Sequence, residues 1–453
     1  MEQLTKRTTQ AKDDWLSQGI RLLYLFLLAS LPFSIGWDIG GHQIECPSEP
    51  LMGLLSGLLL FHFLRKGWWP GSFYRSPIAV ASLCFLAWMV IGIPFSSQPM
   101  VSAKYSLVAL VHWWVFFHGL PLLWRQWPRD AIRHQLVYAV PFFLILLYAW
   151  WNHAQYDFRI DVSVLVARPF YFDHALYSCC LSLLVGVLAV GSWSAERLGW
   201  RGVDVWICRL LLPAFCLGVY WSYSRAAWLS WMGSLLLVGG MALFKFRFRH
   251  VLAMGAVLLL SIALAWPFLQ ASIVGNEVES KKGSVWEQII STANVRTDVS
   301  NLERLNRYSC AWRMAQDRPL LGFGAGSFQN AYLPYQREEE MTRISVTHSG
   351  PHPPGRGGGA HSEYLQALAE MGWPGLVCWL ALLLSCLWQA LHLNRRLIAW
   401  ERALLLGVCF GLFTYFLHAF FNNFLHHGKA SALFWGLCAL LVLMRQPQNN
   451  LDL

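Results

Sequence analysis

The chain has 453 residues, of which 56% are hydrophobic and only 13% charged, against roughly 25% charged in an average soluble domain. That composition excludes a water-soluble single domain. The formal charge of +10 does not mark a nucleic-acid binder, because Lys and Arg sit in short segments between apolar runs and not in one basic, aromatic-interleaved array.

In chain order, apolar runs bounded by charge and turn residues predict about twelve transmembrane helices, near 20–37, 49–64, 77–95, 104–124, 134–152, 174–193, 205–222, 226–244, 250–269, 373–393, 403–421 and 430–444. Each run is long enough to cross a hydrocarbon core of about 30 Å as a helix. Lipid cannot satisfy open backbone groups, so helical spanning follows. The first run follows a polar start and has no small-residue cleavage pattern after it, so it reads as a retained span.

With a cytoplasmic N-terminus, the inner loops hold Arg65, Lys66, Arg75, Arg125, Arg129, Arg133, Arg197, Arg201, Lys245, Arg247, Arg249, Arg395 and Arg396. The short outer loops hold Lys104, Arg159, Arg168, Arg225 and Lys429. This asymmetry is what the positive-inside rule demands, and it also places the C-terminus in the cytoplasm. The organisation expected is three parts: 1–269 with nine spans, 270–372 as one large loop domain on the outer face, and 373–453 with three spans. A connection as long as 270–372 is usually functional or disordered. This one reads as a small folded cap, with helical stretches near Asn301–Gln316 and His361–Met371 and a Gly-rich turn at Gly322–Ser327.

The eleven cysteines lie mostly inside apolar runs and read as small buried residues. Only Cys46 and Cys310 fall in loops, which leaves one weakly expected disulfide. No metal is placed on them.

Charged residues near the outer face are the candidates for chemistry. Arg225, in Ser224-Arg225-Ala226 between two spans, either faces a cavity or partner or snorkels to lipid phosphate. Arg168 lies at the mouth of the sixth span, before Asp173 and His174. These two form either an acid/base pair or, the favoured reading, a helix cap. Arg304 shares a helix face with Tyr308 and Ala311; its plain alternative is a surface ion pair with Glu303 or Glu338. Arg307 and Arg313 point elsewhere and read as solvated or phosphate-facing charges. Gly322-Phe323-Gly324-Ala325-Gly326 reads as a structural turn, since no strand of a βαβ unit precedes it. His361 follows the glycine-rich Gly355–Ala360 and opens a helix, where it either titrates near neutrality or serves as a cap.

Together these segments resemble the O-antigen ligase and polymerase superfamily. The resemblance rests on Ser224-Arg225-Ala226, on Arg304 four residues before an aromatic, on Pro319 to Phe328, and on His361-Ser362-Glu363-Tyr364-Leu365, set around one long outer loop. Ser362 stands where Asn is frequent, and Tyr308 where Trp is frequent. The resemblance implies an all-α, GT-C-like polytopic protein of the bacterial inner membrane. It further implies transfer of a glycan from an undecaprenyl-pyrophosphate donor to a lipid A-core sugar or other glycan acceptor, without metal or other cofactor. Arg225, Arg304 and His361 would be catalytic, with Arg168, Arg356, Tyr308 and Tyr364 binding substrate. A polymerase of lipid-linked repeats and a protein O-oligosaccharyltransferase share that donor chemistry. A secondary transporter, from another class, would require repeat symmetry, and none is visible.

Overall fold

The computed structural model describes residues 15–39, 42–68, 71–123, 129–193, 202–244, 248, 299–347 and 358–445. Within them the Leu- and Phe-rich runs are helices: α1 (Trp15–Ser30), α2 (Ser48–Lys66), α3 (Pro77–Ile91), α4 (Pro99–His112), α5 (Arg129–Ala154), α6 (His174–Trp193), α7 (Val203–Trp221) and α8 (Arg225–Leu243). After the segment beyond α8 come α9 (Val299–Asp317), α10 (Glu363–Leu393), α11 (Ala399–His418) and α12 (Gly428–Leu443).

Nine of these helices, α1, α3 to α8, α10 and α11, are long and apolar enough to cross a membrane. Eleven of the twelve expected runs therefore coincide with helices, but α2 is not among the nine and α12 has only 16 residues. The expected run at 250–269, the termini and all of 270–298 lie outside the described residues. The first run also ends earlier than residue 37. Pro32 turns the chain through a short 3-10 segment, and Ile35–Ile39 then pairs antiparallel with His42–Cys46 as a two-stranded hairpin.

Two helices form the axis of the bundle. Helix α6 is buried almost throughout, and every residue of α12 is buried, which is why both are apolar on all sides. Helices α6 and α11 touch backbone to backbone: a Cβ on Gly186 would stand 2.1 Å from the Gly407 carbonyl oxygen, and one on Gly411 2.6 Å from that of Leu183. Only small residues permit such an approach between helices in lipid. The outer helices leave large apolar side chains bare, among them Leu22, Leu64, Leu236 and Leu243. Such a belt is costly in water and costs nothing in hydrocarbon.

The described part of the expected cap, 299–347, is attached through its Gly-rich turn. Gly322, Gly324 and Gly326 all have positive φ, and a Cβ on Gly324 would strike the Ser96 hydroxyl at 2.0 Å. The Phe323 carbonyl accepts from the Ser97 N–H at 2.8 Å, and the Phe323 and Gly324 N–H groups donate to Ala369 and Glu370 carbonyls of α10. The turn is structural, as expected. Helix α10 runs from the cap into the bundle and bends at Gly372 (φ 68°), where the Trp373 N–H donates to the Pro319 carbonyl at 2.8 Å. All eleven cysteines are free, so Cys46 and Cys310 are not bridged.

Candidate active site

The turns at one end of the bundle are tied to one another by hydrogen bonds between segments far apart in sequence. The Lys429 ammonium donates to the Ser34 carbonyl at 2.7 Å and to the Phe170 carbonyl. The Tyr223 hydroxyl reaches the Phe158 carbonyl at 3.1 Å. The Tyr308 hydroxyl donates to the carbonyls of Phe420 (2.7 Å) and His361 (3.2 Å). The N-termini of α6, α8, α10 and α12 therefore open on the same layer. The positive ends of their dipoles favour an anion there.

Backbone strain concentrates in this layer as well. The four non-glycine residues with positive φ among the described residues are Asp157, Phe158, Tyr223 and His361. A left-handed conformation costs such a residue about 1–3 kcal/mol and persists only where its surroundings hold it. At His361 (φ 54°) the Tyr308 hydroxyl supplies that hold.

The predicted residues are brought together to different degrees. Arg225 is the first residue of α8, immediately after the N-cap Ser224. His174, at the N-terminus of α6, lies within electrostatic reach of both Arg225 on α8 and Arg304 on α9. The Arg304 guanidinium is turned along its own helix, with Nη1 2.9 Å from the Ser300 hydroxyl. Glu303 is turned to Arg307 (2.9 Å, both side chains buried), which leaves it engaged elsewhere. Arg168 is exposed at the edge of the layer, its Nε donating to the Phe172 carbonyl at 3.1 Å. Asp173 accepts from the Leu176 N–H at 2.8 Å and so caps α6, in line with the favoured reading.

His361 is not a cap. That role belongs to Ser362, whose side chain accepts from the Leu365 N–H at the start of α10. Burial, followed by Arg307 and Arg304, pushes the His361 imidazolium well below the usual histidine pKa, so the ring is neutral at pH 7. Tyr308 gives its hydroxyl to two carbonyls and positions the His361 turn. Tyr364 is buried, stacks on Phe420 at 4.2 Å between ring centroids and donates to the Phe416 carbonyl, so its role in the fold is packing. Arg356 lies outside the described residues.

Residues 210–380 match the family model described as O-antigen ligase. This segment is similar to O-antigen ligases. It takes in Arg225, Arg304, the Gly-rich turn and His361, and leaves Arg168 outside. No curated protein matches the chain. The family is one of ligase- and polymerase-like membrane enzymes, which agrees with a bundle of apolar helices long enough to cross a membrane.

Several residues that shape this candidate site escaped the sequence reading. Glu363 accepts from the Tyr415 hydroxyl (3.0 Å) and the Leu425 N–H (2.7 Å), pinning the 419–427 turn against α10. Glu370 accepts from the N–H groups of Gly326 and Phe328, both at 2.9 Å, and holds the Gly-rich turn. Their one signal was two glutamates seven residues apart, on one face of a helix entering an apolar run. Arg307 and Arg313 are not solvated charges. Arg307 is buried, donates to the Gly359 carbonyl at 2.8 Å and lies over the Tyr332 ring, whereas Arg313 grips Glu340 through both terminal nitrogens. Among the described residues no group of three or more His, Cys, Asp and Glu is disposed to hold a metal ion.

Proposed function

We propose that the protein is an O-antigen ligase of the bacterial inner membrane, transferring a glycan from undecaprenyl pyrophosphate to a lipid A-core sugar on the periplasmic face, with both termini cytoplasmic. An acceptor hydroxyl oxygen bonds to the anomeric carbon of the donor. The bond from that carbon to pyrophosphate breaks, and the leaving group departs with the electron pair. His361 takes the hydroxyl proton, and Arg225 and Arg304 stabilise the charge on the departing pyrophosphate. Guanidinium groups suit that task because they stay charged and offer planar, forked donors.

The observation that carries this reading is the Arg304–Tyr308–His361 linkage. Arg304 and Tyr308 lie one turn apart on α9, and the Tyr308 hydroxyl is 3.2 Å from the His361 carbonyl. A proposed base and a proposed leaving-group binder are thus held in one relation, and the base is neutral and free of capping duty. Loss of the gene tests the reaction. A ligase predicts lipopolysaccharide without long glycan and an accumulation of polymer on the lipid carrier. Accumulation of single repeat units would make the enzyme a polymerase, and intact lipopolysaccharide with unglycosylated proteins a protein O-oligosaccharyltransferase.

A further inference from the structure

The turn that closes α11 carries two polar side chains that the proposed reaction leaves unused. His418 ends the helix and is 1% exposed, and both of its ring nitrogens are buried without a hydrogen-bond partner among the described residues. Asn422, 6% exposed, stands one turn further on, its N–H donating to the His418 carbonyl at 3.1 Å. Its side-chain Nδ2 is likewise buried and unpartnered. Each such group carries a desolvation penalty if nothing meets it, and native interiors leave few of them.

Their place in the fold says what meets them. The Tyr308 hydroxyl donates to the Phe420 carbonyl, midway between the two residues. Helix α9 therefore lies against this turn, with Arg304 one turn from Tyr308 on the same face. Electrostatic reach joins His418 to Arg304 and His174, and His174 to Arg225. The Phe424 ring, 5.7 Å from that of His418 between centroids, closes another side.

We infer that His418 and Asn422 are a further substrate contact, a pair of neutral hydrogen-bond donors for an oxygen of the pyrophosphate held by Arg225 and Arg304. This rests on the reading of the site proposed above. Two arginines already supply positive charge, and a third cation beside them would be repelled. A neutral imidazole N–H and an amide N–H add direction without that penalty. The C-terminus of α11 is the negative end of its dipole, so the anion belongs over the N-termini of α6 and α8, with these two side chains reaching it from α11.

The test is binding of undecaprenyl pyrophosphate to the purified full-length protein in detergent, comparing wild type with His418→Leu, His418→Gln and Asn422→Leu. Loss of one hydrogen bond to a charged group corresponds to roughly tenfold weaker binding or more. Each leucine variant should show that loss, and His418→Gln should bind within about threefold of wild type. Wild-type affinity in both leucine variants would mean that the groups face water only. Equal loss in His418→Gln and His418→Leu would also overturn the inference, because glutamine keeps a donor. If wild type itself does not bind the probe, the proposed function fails and this inference with it. Should His418→Leu not fold, His418→Met decides in its place.

Discussion

The axis of the bundle and the layer at its end follow opposite rules. Around α6, α11 and α12 the packing is dry, and glycines bring the α6 and α11 backbones into contact at Gly186 and Gly407. In the end layer, histidines, arginines and glutamates are buried, four non-glycine residues are held at positive φ, and His418 and Asn422 keep unmet polar atoms. The axis is built for one arrangement of helices. The end layer carries strained backbone and unmet polar groups, which the proposed function turns toward a ligand. Damage to the first should therefore remove the protein, and damage to the second should remove its chemistry while leaving the protein intact.

The largest effect expected is at the axis. Gly407→Leu places a side chain where a Cβ already meets the Gly186 carbonyl oxygen at 2.6 Å, and rigid backbone cannot yield to it. Folded protein should be nearly absent on size-exclusion chromatography in detergent. A normal monodisperse peak would show that α6 and α11 are not so closely apposed.

Next in size is the proposed leaving-group site. Arg304→Lys should lower transfer by about 10²–10³, close to the loss in Arg304→Ala, because a point charge lacks the planar fork. The elution profile should be that of wild type. Full transfer by the lysine variant would reduce Arg304 to a generic charge.

A smaller effect is expected where the two regions meet. Glu370→Ala strands the Gly326 and Phe328 N–H groups, at about 1–3 kcal/mol each. The cap should loosen without loss of the bundle, read as faster proteolytic cleavage within 299–347 at unchanged elution volume. Unchanged protection of the cap would mean that the Ser96–Ser97 contacts suffice to hold it.

The smallest effect is in the pH profile. Because the His361 pKa is lowered, the ring stays neutral as pH falls through about 6.5, where a free histidine would be half protonated. Transfer should stay flat across that point and decline only at lower pH. Linkage has the same sign: the unfolded chain binds the proton more readily, so stability from this residue is present above about 6.5 and is lost as pH falls below it. A half-maximal rate near pH 6.5 would contradict the buried placement of His361.

These contrasts also separate what was legible in the sequence from what was not. Spans announce themselves by apolar length, and the Asp173 cap and the Gly322–Gly326 turn by local chemistry, since each is decided within a few residues. The roles of Glu363, Glu370, Arg307 and Arg313 depend on partners 4 to 62 residues away, and no local pattern distinguishes a buried, paired charge from a solvated one. Arg307 and Arg313 were misread for that reason. The same holds for His361, where the adjacent Ser362 takes the cap, and for His418 and Asn422, which look like the ordinary polar end of a span. The short hairpin at Ile35–Cys46 was missed because its first strand continues the apolar run of α1 without a break in composition.

Whether His361 takes a proton or only shapes its turn is decided most directly by a reconstituted transfer assay with His361→Asn. Asparagine tolerates the left-handed backbone that this position requires, leaves the Ser362 cap and the Tyr308 contact in place, and cannot act as a base. The rate should fall by about 10²–10⁴, with undecaprenyl pyrophosphate binding unchanged. Near-wild-type turnover by His361→Asn would contradict proton transfer to His361, and would leave catalysis to leaving-group stabilisation by Arg225 and Arg304 alone.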